Sequence, residues 1–277
     1  MRSGEILMAG IPHAGKTSYL ALVYLAIMKG RSATITLGGY SDDREYLNDL
    51  VGRLFRCEVA KHTETGRTDG LSLSVDLPNG DAALLVIPDL SGETWLEALV
   101  DRTWTAELRD RVAETTGACV FVNVADFVDD PPIAQADRAD EAAGVAPADR
   151  ETDSGAEGKG QSAQVQLVDL IQVLAENASR SPRRISLVLS AFDLVAGMTP
   201  DEWMRMSAPL LVQYLEANTS WLQVEVFGLS AQGGRFEVEE ERAELLERDP
   251  LERASIVTAK GQATDYDEPV LWVMALA

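Results

Sequence analysis

Two cysteines and two histidines are all that 277 residues carry. So few cysteines exclude a disulfide framework. Cys57 and Cys119 read as reduced, semi-buried thiols. His62 lies near Cys57, but no further histidine or cysteine is close enough to complete a ligand set, which argues against a zinc site. Long apolar runs are also missing. The richest early stretch, 19–28, is about half of the roughly 20 residues that a membrane span needs. It reads as a buried helix. Met1-Arg2-Ser3-Gly4 lacks the apolar core of a signal peptide, so the expected location is the cytoplasm. Positive charge is scarce: 24 Lys and Arg stand against 45 Asp and Glu, a net −21. Such a chain is repelled by phosphate backbones. Neither nucleic acid nor an anionic membrane is an expected partner. Small phosphorylated ligands remain open, because backbone amides hold them locally.

What is present is an alternation of strands and helices. With 46% hydrophobic residues, a sizeable core can be buried. Strands are expected at 5–9, 33–37, 71–75, 83–87, 118–124, 185–189 and 222–229. Helices are expected at 17–28, 44–56, 94–114, 164–176 and 200–217. Pro78-Asn79-Gly80-Asp81 reads as a hairpin turn between two of the strands. The pattern predicts an α/β fold, with a mostly parallel sheet flanked by helices and one antiparallel hairpin. Residues 1–277 read as one domain. The segment 129–163 is rich in Ala, Asp, Glu, Pro and Gly, with almost no large apolar residue. It cannot bury enough surface to offset chain entropy, so a disordered acidic insert is expected there. The tail, 233–277, is expected to be a helical extension packed on the domain, with helices at 237–248 and 269–276.

The strongest chemical signal is Gly10-Ile11-Pro12-His13-Ala14-Gly15-Lys16-Thr17, a full match to G-x-x-x-x-G-K-[ST]. An apolar strand precedes it and an apolar helix follows. Glycines let such a loop curl so that backbone N–H groups point at phosphate oxygens. The next helix, 17–28, with Ser18 in its first turn, aims its positive end at the same phosphates. Lys16 places a point charge on the β and γ oxygens, and Thr17 offers its hydroxyl to Mg²⁺.

A second signal is Asp89-Leu90-Ser91-Gly92-Glu93, directly after the 83–87 strand. An aspartate there holds Mg²⁺ through water, and the Gly92 N–H reaches the γ-phosphate. The bland alternative is a turn with a helix cap at Ser91 or Thr94. The third is a threonine-rich stretch, His62-Thr63-Glu64-Thr65-Gly66-Arg67-Thr68. A hydroxyl there completes the Mg²⁺ shell. Thr65 is the first choice, Thr68 the second, and a plain polar loop is an equal alternative.

The order of these motifs resembles that of GTPases of the TRAFAC clade, and the resemblance extends to the base-binding loops. Ser190-Ala191-Phe192-Asp193 occupies the place of N-K-x-D, and Ser230-Ala231-Gln232 resembles S-A-K. By that resemblance Asp193 accepts hydrogen bonds from guanine, and Ala231 offers its N–H to the guanine carbonyl. Ser190 replaces the asparagine and Ala191 the lysine whose stem covers the base. Glu93 stands where Ras-like enzymes often carry the glutamine that orients the attacking water. Within the clade the chain looks most like the bacterial double-GTPase families of predicted conflict or defence systems. What suggests this is the extra unit 33–56 and the closing Asp267-Glu268-Pro269-Val270-Leu271-Trp272. The resemblance implies GTP and GDP as ligands, Mg²⁺ as cofactor and a second protein as activator or effector. Two rivals stand beside it. An ATP-binding kinase needs an arginine-bearing lid, for which the insert supplies only Arg138 and Arg150. A non-hydrolysing scaffold fits the altered Ser190–Asp193 motif but not the intact Lys16, Thr17 and Asp89.

Overall fold

The computed structural model describes residues 3–11, 13–32, 34–39, 43–58, 70–88, 106–127, 162–176, 183–195 and 197–275. Its strands are β1 (Ser3–Ala9), β2 (Thr36–Leu37), β3 (Leu71–Asp76), β4 (Ala82–Ile87), β5 (Gly117–Asn123), β6 (Arg183–Ser190), β7 (Leu222–Ser230) and β8 (Ser255–Thr258). Its helices are α1 (Lys16–Met28), α2 (Arg44–Phe55), α3 (Ala106–Glu114), α4 (Ala163–Glu176), α5 (Pro200–Ser207), α6 (Pro209–Ala217), α7 (Glu239–Leu246), α8 (Pro250–Arg253) and α9 (Glu268–Val273). The strands form one sheet in the order β2-β3-β4-β1-β5-β6-β7-β8. β4, β1, β5, β6 and β7 run parallel, and β4 and β5 carry the continuous apolar sequences of buried parallel strands. The β3–β4 hairpin is antiparallel, and Gly80 at φ 82° makes its turn.

Period-two alternation divides the central strands between two cores. Ile6, Met8, Cys119, Phe121 and Val188 face α1, α2 and α9. Leu7, Ala9, Val120, Leu187 and Leu189 face α3, α4, α5 and α6. α1 is buried from Tyr19 to Ala26, which explains its apolar sequence without a membrane. No described helix is long and apolar enough to cross a membrane. Both cysteines are fully buried rather than half-buried, and burial pushes the Cys119 thiol up to about 12.

Three expectations change. The single helix at 200–217 is two helices. Pro209 lacks an N–H and pushes Ala208 out of the helical region, to φ −132° and ψ 50°. The strand at 33–37 narrows to the two residues Thr36 and Leu37, antiparallel to β3. The tail is not helical throughout: β8 lies between its helices and pairs antiparallel with β7, closing the far edge of the sheet. Most of the expected insert 129–163, and the first part of the expected helix 94–114, lie outside the described residues.

Side-chain hydrogen bonds also fasten the tail. The Ser186 hydroxyl donates to the Pro269 carbonyl at 2.7 Å, and the Arg184 guanidinium donates to the Trp272 carbonyl at 2.9 Å, so α9 is pinned under β6. At the other end Arg253 is buried and clasps α2. It donates to the Leu245 carbonyl at 2.6 Å, to the Leu54 carbonyl and to the Cys57 sulfur, and its plane lies over Phe236. Buried carbonyls left without a donor cost about 1–3 kcal/mol each. Arg253→Ala is therefore expected to lower stability by about 3 kcal/mol. A urea midpoint shift equivalent to less than about 1 kcal/mol would contradict the clasp.

Candidate nucleotide site

The parallel strands β1, β4, β5, β6 and β7 all end on one edge of the sheet, the edge at which open α/β sheets bind ligands. β1 runs into Gly10, β4 into Pro88, β6 into Ala191 and β7 into Ala231. The register pairs Ser190 with Leu229 and with Asn123, so the ends of β5, β6 and β7 are level. The phosphate loop and the two base motifs are thereby brought to the same rim.

The loop turns hard because its glycines permit it. Gly10 has φ 140°, and a Cβ there would meet the Phe121 carbonyl oxygen at 2.5 Å. Gly15 has φ 90°, and its Cβ would stand 2.9 Å from the Ser190 Cβ. Only glycine satisfies both the backbone and the space at these points. His13 is exposed and also lies at positive φ, 61°. Ala14 is buried beneath the loop, with its N–H 3.4 Å from the Ile11 carbonyl. Pro12 lies outside the described residues.

α1 then begins at Gly15 without a side-chain cap and without an acidic residue in its first turn. The first-turn N–H groups of Lys16, Thr17 and Ser18 have no acceptor within the helix. Most helices supply Ser, Thr, Asp or Asn for this purpose. Here the loop and helix together form a donor-lined, electropositive concavity suited to an anion. The Lys16 ammonium bends back over the loop and donates to the Gly10 and Ile11 carbonyls at 2.6 and 2.8 Å. Burial lowers its pKa from 10.5 to about 8. The charged form is therefore penalised until a phosphate neutralises it. Thr17 carries a hard hydroxyl oxygen on the first turn of α1, the donor chemistry Mg²⁺ takes. The other expected Mg²⁺ ligands, Asp89 and Thr65, lie outside the described residues, as do Gly92 and Glu93.

At the base end, Ala191 sits in the left-handed region at φ 54°, and a 3₁₀ turn of Phe192–Leu194 follows. The turn places Asp193 on the surface and buries Phe192 against Gly228. Ser230 and Ala231 are buried at the end of β7, and the Ser230 hydroxyl accepts from the Gly233 N–H at 3.2 Å. Sequence reading took Ser190 only as a departure from asparagine. The structure gives it a position of its own, buried against Gly15, where the small side chain lets the base loop approach the phosphate loop. Nothing in the sequence marks that contact. A concavity of about 370 Å³ lies elsewhere, between α4 and the start of α6. It holds none of the motif residues, and the Gln164 side-chain Oε1 on its wall already accepts from the Leu210 N–H.

The Gly15–Ser190 contact is open to a double-mutant test. Gly15→Ala is expected to cost about 2 kcal/mol, from positive-φ strain and from the clash with Ser190. In a Ser190→Gly background the cost should fall to about 1 kcal/mol. Equal losses in the two backgrounds would contradict the contact.

Comparison with curated proteins gives no significant match. Among solved structures, the chain is similar to the signal recognition particle receptor SRb-GTP/SRX complex of Chaetomium thermophilum. Identity is 14%, coverage 90% of this chain and 100% of that one, and TM-score 0.42. It is also similar to the G domain of the T. maritima FeoB iron transporter, at 11% identity, 89% and 98% coverage and TM-score 0.31. A third is Aquifex aeolicus Era bound to GDP and AlF4⁻, at 13% identity, 88% and 56% coverage and TM-score 0.35. The family model Double-GTPase 1 matches residues 7–273, nearly the whole chain. With its G-x-x-x-x-G-K-T loop and mixed sheet, and a family model matched over nearly the whole chain, the protein belongs to the Double-GTPase 1 family and is a P-loop GTP hydrolase.

Proposed function

We propose that the protein is a Mg²⁺-dependent GTP switch of the TRAFAC type, slow in hydrolysis on its own and accelerated by a partner protein. The observation that carries this reading is the uncapped start of α1 beneath Gly10 and Gly15, with the Lys16 ammonium folded over the loop. Gly10, Ile11, Pro12, His13, Ala14, Gly15 and Ser18 supply the phosphate cradle. Lys16 acts on the β and γ oxygens. Asp193 and Ala231 read the guanine, with Ser230 holding the loop that carries Ala231. Thr17, Asp89 and Thr65 hold Mg²⁺, which when bound neutralises charge on the phosphates. Gly92 offers its N–H to the γ-phosphate. A cytoplasmic role in a bacterial conflict or defence system follows from the same family resemblance.

The slow rate is argued from Glu93. An ionised glutamate accepts but does not donate, and it brings negative charge towards an already negative phosphate. That weakens transition-state stabilisation until a cation offsets it. An arginine delivered by a partner is worth about 10³ to 10⁵ in rate in related enzymes. Purified protein with Mg²⁺ is expected to release phosphate from GTP in single turnover at well below about 1 s⁻¹. Glu93→Gln should keep or raise that rate. Fast turnover without a partner, or a dead Glu93→Gln variant, would contradict the proposal. A kinase would release phosphate only to an acceptor, and a scaffold would release none.

Lys16 gives a pH test. Its lowered pKa means the ammonium is present below about pH 8 and lost above it. Affinity for GTP should therefore fall as pH rises from 7 to 9, and Lys16→Ala should both remove most of the affinity and flatten the profile. For folding alone the sign is opposite. The unfolded lysine binds its proton more tightly, so the penalty of burying the charge is relieved between about pH 8 and 10.5. Calorimetric titration across that range checks the binding profile. A pH-independent affinity in the parent protein would show that Lys16 does not meet the phosphates.

A further inference from the structure

The unit β2–α2 carries none of the motifs, yet α2 reaches the site. Thr17, Ser18 and Ala21 of α1, Arg53 in the last turn of α2, Glu58 just past it and Gln232 after β7 line one narrow seam. Its volume is about 10 Å³, scarcely room for one water, so little separates the three segments there. No described residue from Gly10 to Lys16 lines it. Arg53 is half-buried, and its guanidinium donates to one described residue: Nε to the Asp49 carboxylate, one turn back on α2, at 2.8 Å. That pair is partly exposed and holds a guanidinium weakly. Nη1 and Nη2 donate to no described residue. Glu58, on the same wall, has its charge offset by Arg56 at 3.0 Å.

We infer that Arg53 is a further nucleotide-binding residue, its Nη1 and Nη2 donors holding the α-phosphate. The inference rests on the proposed function. Under that reading the nucleotide runs from its base at Ala231 to its β and γ oxygens at Lys16, and the α-phosphate lies between them. The seam bridges the same interval: Thr17 and Ser18 follow Lys16 on the first turn of α1, and Gln232 follows Ala231. Arginine suits the role because its planar fork of donors matches a phosphate and its charge is weakly hydrated. The first turn of α1 holds no acidic residue to compete for it. The backbone of α2 is held firmly: Leu47, Leu50 and Leu54 bury one face of the helix in the core with α1, and the Tyr24 hydroxyl donates to Asn48 at 3.0 Å. Only the weak pair with Asp49 restrains the side chain. The α-phosphate is common to GDP and GTP and is not transferred, so Arg53 serves binding in both states and not the chemical step. The extra unit 33–56 is then part of the binding site.

The test separates binding from chemistry. GDP and a GTP analogue with a non-hydrolysable γ-phosphate bond are titrated with Mg²⁺, at low and high salt, into the full chain, into Arg53→Ala and into Arg53→Lys. Circular dichroism checks that each variant is folded. The expected result is an affinity lowered about tenfold for both ligands in Arg53→Ala and partly kept in Arg53→Lys. The affinity that remains in Arg53→Ala should depend less on salt than that of the parent. Single-turnover hydrolysis at saturating GTP should be unchanged. Unchanged affinities in Arg53→Ala, with the parent binding both ligands, overturn the inference and leave the proposed function standing. A loss confined to the GTP analogue, or a slower single turnover at saturation, also overturns it, since Arg53 would then act at the γ-phosphate. So does a loss equal in Arg53→Ala and Arg53→Lys with the salt dependence of the parent, which would mark a role in the fold. A parent protein that binds neither ligand overturns the proposed function and the inference together.

Discussion

The structure depends on one tight junction, where β1 turns into α1 through Gly10 and Gly15. Gly10 lies against the Phe121 backbone on one side and Gly15 against Ser190 on the other. The junction therefore fixes the distance of the phosphate loop from both β5 and β6. It also leaves α1 without a cap, so that the first-turn donors face outward for a ligand. A local cost in backbone freedom and in helix capping is accepted where an anion can offset it. Lys16 follows the same logic under the proposed function: burial disfavours its charge, which a bound phosphate would restore.

Around that junction two further units complete the sheet. β2 and α2 extend the sheet at one edge and pack on α1; β8 closes the other edge. The tail then ties the two units together, since Arg253, at the end of α8 just before β8, holds the last turn of α2. Its backbone is also where a Cβ on Gly233 would collide, just beyond the base loop. The loop after β7 and the end of α2 thus meet at one buried residue, Arg253.

Much of this was legible in the sequence. The parallel strands and the phosphate loop announce themselves through continuous apolar runs and a glycine pattern, both local signals. The boundaries differ by only one or two residues, as at β4, expected at 83–87 and found at Ala82–Ile87. β8 was missed because Ser255–Thr258 is four residues long, lies at an edge and alternates too briefly to show a period. The break at Pro209 was written in the chain but outweighed by the apolar spacing on both sides of it. The contact of Ser190 with Gly15 depends on how distant elements pack, and no spacing rule encodes it. The residues expected at the γ-phosphate and the Mg²⁺ shell, Asp89, Gly92, Glu93 and Thr65, fall outside the described residues, so there the sequence alone speaks.

The central claim is that this rim holds a guanine nucleotide. Native mass spectrometry of the protein as purified, followed by denaturation and identification of the released small molecule, tests it most directly. The account predicts one guanine nucleotide per chain, in the diphosphate form after slow turnover. An adenine nucleotide in its place would contradict the reading of Asp193 and Ala231. A chain that carries no nucleotide, and takes none up when GDP and Mg²⁺ are added, would contradict the site altogether.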